Sequence, residues 1–572
     1  MPVSYRYPSV PVTRFLDDAA RDYPTATALR FRGRSWQYGE LRDLVDRGAA
    51  LLLDLGVRTG DRVALVTPTT PAAVVATFAA WRVGAVLAPL DPDLRPDVLR
   101  DRLVGLAPSV VVADVGALDD VLAVRPDLPG LRHVVASDPA AWLRPRERVL
   151  ASLAARVGRR RAVRPDDDVV EFDLLLQGGP ALVRQVATLP TEPAAVLFTG
   201  GTTGDGRGVV LTHGNLVANA FQSRLWVPDV RAGGEVVLAT VPLWHSYGLT
   251  AGLLTGVLAA ATVVLLPESG PEAVLDAIEA ERVTLLPSVP RLYEALVRAD
   301  GVAGRDLSSV RAAVSGGAAL EAGVRHAFEQ VTGGRLRQGY GLTEAGPITH
   351  ANPVYGRTVD GAVGLPVTDT VALVRDLDDP ERVLAPGELG ELMVAGPQVA
   401  PGYWEGPGSA PDPVGPWLAT GDLAEVDADG VCRVHGRVED LAHRDGRRIV
   451  PAVVERALLE HPGVARAVVV GVGDGDDQRL HALVVARPRA RLTTEELRVH
   501  AGQLLAPDLL PDRVHVRDEL PESVLGKVLR HELRAELADR GDLPAHDAAR
   551  DAREHGSGHG SDDRADDGQD SR

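Results

Sequence analysis

Between residues 61 and 120, short apolar runs alternate with stretches of helical spacing. Arg62-Val-Ala-Leu-Val-Thr67 reads as a buried strand, Pro71–Arg82 as a helix, and Gly84-Ala-Val-Leu-Ala-Pro-Leu90 as the next strand, followed by Val110-Val-Val-Ala-Asp114. β-Branched runs bounded by turn residues and separated by helix-length segments predict a mainly parallel α/β sheet covered by helices. The same texture returns at 235–240, 261–266, 283–287 and 310–315. Residues 381–435 differ, with shorter strands and turn signals at Pro386-Gly387 and Asp429-Gly430, and predict a β-rich subdomain.

After Gly436 the pattern changes again. Pro451–Leu459 has helical spacing, 465–472 and 480–486 alternate as strands, and 494–505 is a second helix. This is a compact α+β unit. The expected domains are therefore a large N-terminal domain over 1–436, built from parallel-rich α/β subdomains plus the β-rich one, and a small C-terminal domain over 437–540. Residues 541–572 carry nine acids and four arginines with almost no large apolar side chain, which predicts a disordered acidic tail.

One segment fits neither layout. Over 142–164, Val149, Leu150, Leu153 and Val157 recur at helical spacing among eight arginines. A basic amphipathic helix suits an anionic membrane surface, which would make the chain peripheral to the inner membrane face. The simpler reading is a surface helix whose apolar face packs on the sheet.

Composition narrows the function class. The 572 residues sum to a net charge of −18, which argues against nucleic acid as a partner and requires any anionic substrate to meet a local positive pocket. A single cysteine, Cys432, excludes an intramolecular disulfide framework. No uninterrupted apolar stretch reaches the roughly 18 residues of a membrane-spanning helix, and the N-terminus lacks the layout of a signal peptide, so the expected compartment is the cytoplasm. Among 61 basic residues only Lys527 is lysine. A compact, mobile charge retained where every other cation is a planar fork points to chemistry.

The strongest local motif is Ala195-Val-Leu-Phe-Thr199-Gly200-Gly201-Thr202-Thr203-Gly204-Asp-Gly-Arg207-Gly-Val-Val-Leu-Thr-His213. A strand runs into glycines and threonines, whose backbone N–H groups and hydroxyls can converge on phosphate oxygens. Gly208 stands where a Walker A loop needs Ser or Thr, and no helix signal follows directly, so a P-loop NTPase is disfavoured.

The segment resembles the Thr-Ser-Gly-Thr-Thr-Gly-x-Pro-Lys-Gly signature of adenylate-forming enzymes: acyl-CoA synthetases, luciferases and the adenylation domains of peptide synthetases. Further blocks follow in the order such enzymes use. They are Pro242-Leu-Trp-His245-Ser-Tyr-Gly-Leu249, Ser315-Gly-Gly317-Ala318-Ala-Leu320, Gln338-Gly339-Tyr340-Gly341-Leu-Thr343-Glu344, Gly387-Glu-Leu-Gly-Glu-Leu with Gly402-Tyr-Trp404, Trp417-Leu-Ala-Thr-Gly-Asp422 with Gly436-Arg437, and Gly526-Lys527.

The resemblance implies a two-step reaction with ATP and CoA as co-substrates and Mg²⁺ as cofactor. A carboxylate attacks the α-phosphorus of ATP, and a thiol then takes the acyl group. It implies that Lys527, on a mobile C-terminal domain, bridges the carboxylate and the α-phosphate, and that Glu344 and Thr199 hold Mg²⁺. Gly200 through Gly204 and Arg207 would cradle the phosphates. Tyr340 would stack on adenine, with Gly317 and Ala318 allowing close backbone approach, and Gly339, Gly341 and Thr343 would belong to the same nucleotide site. Asp422 would accept the ribose hydroxyls, Arg437 would reinforce the ribose or phosphate side, and His245 would lie between acyl pocket and α-phosphate.

Two regions depart from the pattern. Arg207 replaces the loop lysine and Gly206 the preceding proline; arginine can still grip phosphate bidentately. The hinge is Glu439, where relatives usually carry Asp or Lys, and the following Asp445-Gly446 loop lacks the paired glycines common in acyl-CoA synthetases. The blocks are most similar to bacterial medium- to long-chain fatty acid–CoA ligases. The expected function is ATP-dependent activation of a fatty acid and transfer to CoA. The alternatives are an acyl-AMP ligase that loads an acyl carrier protein, and an inactive acyl- or nucleotide-binding relative, against which the retention of Lys527 argues.

Overall fold

The computed structural model describes residues 2–144, 146–148, 163, 168–176, 178, 181, 186–199, 206–267, 270–473, 475, 477–523 and 526–539. The sequence-predicted basic helix over 142–164 falls mostly outside these residues, as do Gly200–Gly204 and the acidic tail. The chain divides into two compact units. The larger holds the residues up to Val438 together with Glu522–Lys527; the smaller holds Glu439–Pro521 and the residues from Val528 on.

Two nine-stranded sheets build the larger unit. In the first, the parallel strands Thr27–Phe31, Thr262–Leu265, Val236–Ala239, Leu285–Ser288, Ala312–Ser315 and Arg335–Gly341 lie side by side, with antiparallel strands added at both edges. In the second, Pro193–Phe198, Val86–Leu90, Arg62–Val66, Val110–Asp114, His133–Ser137 and Val170–Glu171 are parallel, and Gly208–Thr212 returns antiparallel beside Pro193–Phe198. Strands buried on both faces need continuous apolar runs, which is what the sequence shows at 63–66 and 110–113.

One apolar core joins the sheets and contains the helices Tyr38–Asp54, Pro71–Arg82 and His213–Trp226. Each sheet's outer face is covered separately, the second by Pro96–Leu106 and Leu118–Val124, the first by Pro271–Glu281, Pro290–Arg298 and Ala322–Thr332. Helix Pro71–Arg82 shows how local signals and tertiary demands combine. Proline opens it, and the Thr70 hydroxyl accepts the Ala73 N–H at 3.3 Å, which ends the search for an N-terminus. Every one of its residues is buried, Arg82 included. That cation is tolerable because Asp17 lies 2.7 Å and Asp46 2.9 Å from its guanidinium.

A four-stranded antiparallel sheet, Val371–Arg375, Gly390–Ala395, Leu418–Val426 and Cys432–Arg437, forms the β-rich subdomain. The smaller unit has a three-stranded sheet of Val464–Val472, Arg479–Ala486 and Arg513–Arg517 packed with Pro451–Leu459, Thr494–Leu504 and Arg530–Asp539. It opens with a hairpin, Ala442–Arg444 against Arg447–Ile449, whose two-residue turn Asp445-Gly446 has φ of +50° and +69°. Both turn positions demand a left-handed backbone, and Asp-Gly is a favoured pair for it.

Candidate active site

Tyr340 is the next-to-last residue of the strand Arg335–Gly341, and a tight loop returns the chain antiparallel as Ile348–Ala351. A Cβ on Gly341 would lie 1.9 Å from the Pro347 carbonyl oxygen, so only glycine fits. The loop is held from outside by the Thr250 hydroxyl, which donates to the Gly346 carbonyl at 2.7 Å. Between these anchors Thr343–Ala345 makes a single 3₁₀ turn that carries Glu344.

The Tyr340 hydroxyl donates to Asp422 at 2.5 Å. Asp422 lies on Leu418–Val426 in register with Arg437 on the next strand, and the Arg437 Nε is 3.3 Å from the other carboxylate oxygen. Arg437 also donates to the Thr420 carbonyl at 2.8 Å. Three residues that lie far apart in sequence thus form one cluster. Burial and the Asp422 charge push the Tyr340 phenol well above its ordinary range, so it stays a donor.

A second cluster gathers around Tyr403. Its two-residue strand Gly402–Tyr403 pairs with Gly208–Thr212, and the Trp404 N–H donates to the Gly208 carbonyl at 2.7 Å. The phenol donates to Glu344 Oε1 at 3.1 Å. The Arg207 guanidinium sits 3.6 Å above the ring centroid and donates to Asp412 at 2.6 Å, with Glu405 at 3.8 Å. Thr199 and Arg207 close the neck of the phosphate loop: Thr199 N–H donates to the Arg207 carbonyl at 3.0 Å, and the Thr199 hydroxyl accepts the Arg207 N–H at 3.1 Å. A Cβ on Gly206 would meet the Thr199 carbonyl oxygen at 2.5 Å, which explains glycine where related loops have proline. A chain of contacts therefore runs from Thr199 through Arg207 and Tyr403 to Glu344.

His245 precedes a π-helix over Gly248–Leu254, an element often found at functional sites. Its Nδ1 accepts the Tyr247 N–H at 3.1 Å, which leaves the proton of the neutral ring on Nε2. Burial pushes the imidazole down to about 4, so it is uncharged at neutral pH. The Tyr247 hydroxyl donates to the Val314 carbonyl at 2.7 Å, docking the histidine block beside the loop of Gly317 and Ala318, where Gly317 takes a left-handed backbone at φ +91°. Gly339 lies on the neighbouring strand, and a Cβ there would come within 3.3 Å of Val314.

Lys527 sits in a loop closed by Ser523, whose hydroxyl accepts the Lys527 N–H at 3.2 Å and whose own N–H donates to the Lys527 carbonyl at 2.8 Å. Glu439 is exposed at the start of the smaller unit, and its neighbour Asp440 is engaged by Arg530 and Arg534.

Among the described residues, no group of three or more His, Cys, Asp or Glu gathers to hold a metal. Glu344 has one carboxylate oxygen engaged by Tyr403, and the Thr199 hydroxyl retains acceptor capacity. A single carboxylate and a hydroxyl, completed by phosphate and water oxygens, is a donor set that fits Mg²⁺.

Sequence reasoning singled out Tyr403 only as a letter in a block, and it missed Asp412 and Arg102. Nothing in the local sequence marks either. Arg102 lies on Pro96–Leu106, its guanidinium 4.9 Å over the Phe198 ring and 3.4 Å from where a Gly206 Cβ would stand, adding positive charge at the loop's base. A separate cavity of about 340 Å³, lined by Phe15, Tyr23, Phe221 and Leu258 among others, includes none of the candidate residues.

Residues 16–404 match the family model of the AMP-binding enzyme, and residues 453–527 match that of the AMP-binding enzyme C-terminal domain. A long-chain-fatty-acid–CoA ligase of Bacillus subtilis (strain 168) is 33% identical over 537 residues, spanning 92% of this chain and 95% of its own. A feruloyl-CoA synthase of an Amycolatopsis species is 33% identical over 521 residues, spanning 90% of this chain and 96% of its own. Among solved structures, ATP-bound MatB from Rhodopseudomonas palustris matches with a TM-score of 0.81 at 26% identity, covering 93% of this chain and 99% of that one. Similar over nearly its whole length to enzymes of one kind, and matched by both of that family's domain models, the chain belongs to the AMP-binding enzyme family.

Proposed function

We propose that this chain is an AMP-forming acid–thiol ligase that activates a fatty acid with ATP and transfers the acyl group to CoA. Its similarity to long-chain-fatty-acid–CoA ligases supports the acid and the acceptor. The observation that carries the nucleotide half is the Tyr340–Asp422–Arg437 cluster, an aromatic face beside an ion-paired carboxylate, which suits an adenosine.

In the first step a carboxylate oxygen of the fatty acid attacks the α-phosphorus, the bond to pyrophosphate breaks, and acyl-adenylate forms. Such a displacement asks the protein for position and charge neutralisation rather than covalent help. Tyr340 offers its ring to adenine while its hydroxyl and Arg437 orient Asp422 toward the ribose. Lys527 reaches a carboxylate oxygen and an α-phosphate oxygen together, stabilising the charge that builds between them. His245, neutral with its proton on Nε2, can donate a hydrogen bond near the same atoms without adding net charge. Glu344 and Thr199 would hold Mg²⁺, which when bound neutralises phosphate charge. Arg207 would exchange Asp412 for pyrophosphate oxygens. In the second step the CoA thiol loses its proton, its sulfur attacks the acyl carbonyl, and AMP leaves.

The use of ATP and CoA fits the cytoplasmic location expected from the sequence. No helix among the described residues is long and apolar enough to cross a membrane.

An acid panel with ATP and CoA, reading AMP, pyrophosphate and the acyl product, tests the reading. Straight-chain fatty acids should release AMP and acyl-CoA in equal amounts. A clear preference for a hydroxycinnamate would move the substrate toward the feruloyl-CoA synthases. Acyl-adenylate that accumulates with CoA and is consumed only by a phosphopantetheinyl carrier protein would overturn the acceptor, and no AMP with any acid would overturn the activity.

A further inference from the structure

Tyr403 touches a candidate metal ligand and a candidate phosphate ligand at once, with different parts of one side chain. Its hydroxyl reaches Glu344, 59 positions earlier, and its ring face carries the Arg207 guanidinium, 196 positions earlier (403 − 344 and 403 − 207). The backbone gives it little room to move. Tyr403 is in register with Val209 in a β-pair, Trp404 N–H donates to Gly208, and the Trp404 indole N–H donates to the Gly105 carbonyl at 3.0 Å. On the other side the Ala400 N–H donates to the Glu344 carbonyl at 2.8 Å, tying the short strand's approach to the 3₁₀ turn itself.

We propose that Tyr403 is the positioning residue that sets Glu344 for the metal and Arg207 for the phosphates, so that both are presented from one rigid platform. The inference rests on the roles given above to Glu344 and Arg207. A carboxylate that meets a hard cation does best when one oxygen is fixed and the other faces the ion, because a free carboxylate must give up rotamer freedom on binding. The phenol does the fixing. Its hydroxyl donates to Glu344 Oε1 at 3.1 Å and leaves the second carboxylate oxygen for the ion. The ring does a second job. Arginine in place of the usual loop lysine brings a flat, weakly hydrated cation, and such a cation stacks on an aromatic face as an ammonium does less well. Tyr403 thus gives Arg207 a surface on which to slide between Asp412 and an incoming phosphate without losing all its contacts.

The two roles separate by substitution. Tyr403→Phe removes the hydroxyl and keeps the platform, and Tyr403→Leu removes both. Equilibrium binding of ATP to the full chain, without acid substrate, is measured by calorimetry with and without Mg²⁺. For Tyr403→Phe the ATP affinity without Mg²⁺ should match the parent, while the gain in affinity that Mg²⁺ brings should shrink about tenfold, the scale of one hydrogen bond to a charged group. Tyr403→Leu should show the same deficit and a further loss of about threefold without Mg²⁺, the scale of an exposed cation–π contact. Glu344→Gln is the control. If it abolishes the Mg²⁺ increment while Tyr403→Phe leaves that increment unchanged, the positioning role is wrong. If Glu344→Gln itself changes nothing, the metal role of Glu344 fails, and the inference falls with it. A merely structural tyrosine would lower thermal stability in both variants and leave the Mg²⁺ increment at the parental value, which also overturns the proposal.

Discussion

In the proposed reaction Lys527 and Arg207 would divide the work of neutralising phosphate between two unlike cations. Arg207 already has partners, Asp412 and the Tyr403 face, and its fork suits a grip on several oxygens. Lys527 must deliver one charge between two reacting groups, and a slender flexible stem suits that better. Lys527→Ala should lower acyl-adenylate formation by about 10²- to 10³-fold, the range seen when one donor to a developing charge is lost. Thiolysis of supplied acyl-adenylate should stay near the parental rate. Lys527→Arg should not restore the first step, and equal loss in both half-reactions would sink the assignment. Lys527 stands out in composition alone, because every other residue of the lysine–arginine set is arginine. Tyr403 does not, because a tyrosine in a short strand looks like any half-buried aromatic until its partners are known.

Short elements carry much of the site. The strand Gly402–Tyr403 is two residues long, and the hairpin end Asp412–Pro413 beside it holds the carboxylate that occupies Arg207. Both members of the Arg207–Asp412 pair are about half exposed, so it is worth at most about 1 kcal/mol. Asp412→Asn should therefore tighten ATP binding, but by no more than about fivefold, as read by the same calorimetry; weaker binding would show that Asp412 aims Arg207 rather than occupying it. In the smaller unit, helix Arg530–Asp539 begins with a cation set between Glu455 at 2.7 Å and Asp440 at 3.5 Å. Glu455 also accepts the Val469 N–H at 2.7 Å, so three elements meet on this one group. Arg530→Met would take the cation from Glu455, while Asp440 keeps Arg534. The expected loss is about 2–3 kcal/mol, below the 3–5 of a fully buried pair because Arg530 keeps some exposure, and denaturant unfolding of the full chain measures it. The sequence pattern placed no element here, and in the structure the helix buries only Leu533 and Leu537.

Across the larger unit, buried titratable groups set how stability depends on pH. His213, His245 and His350 are pushed down to about 4, 4 and 3 by burial, so the unfolded chain takes up protons first as pH falls below about 6.5. Their contribution is fully present above that value and is lost as pH drops toward 4. Asp173 acts in the opposite sense. Burial pushes it up to about 6 despite hydrogen bonds from Trp142, Ser137 and the Asp138 N–H, so its contribution is lost as pH rises from about 4 toward 6. Three imidazoles against one carboxyl leave about two protons, and hence a net fall of about 2.7 kcal/mol per pH unit from these four groups near pH 5. Urea unfolding at pH 7.5, 6 and 5 should show a plateau and then a steep decline; stability that rises on acidification would contradict the sign. The ordered blocks, the alternation of strand and helix and the solitary lysine all came from the sequence, because phosphate chemistry demands particular residue types and buried strands demand continuous apolar runs. The sequence could not show that Arg82 lies in the core, since its counter-charges Asp17 and Asp46 sit 65 and 36 positions away (82 − 17 and 82 − 46). Nor could it show that one phenol joins Glu344 to Arg207, or that the Tyr340 hydroxyl donates directly to Asp422. Residue type and spacing are local quantities, whereas which charges meet is decided only when separate strands come into register.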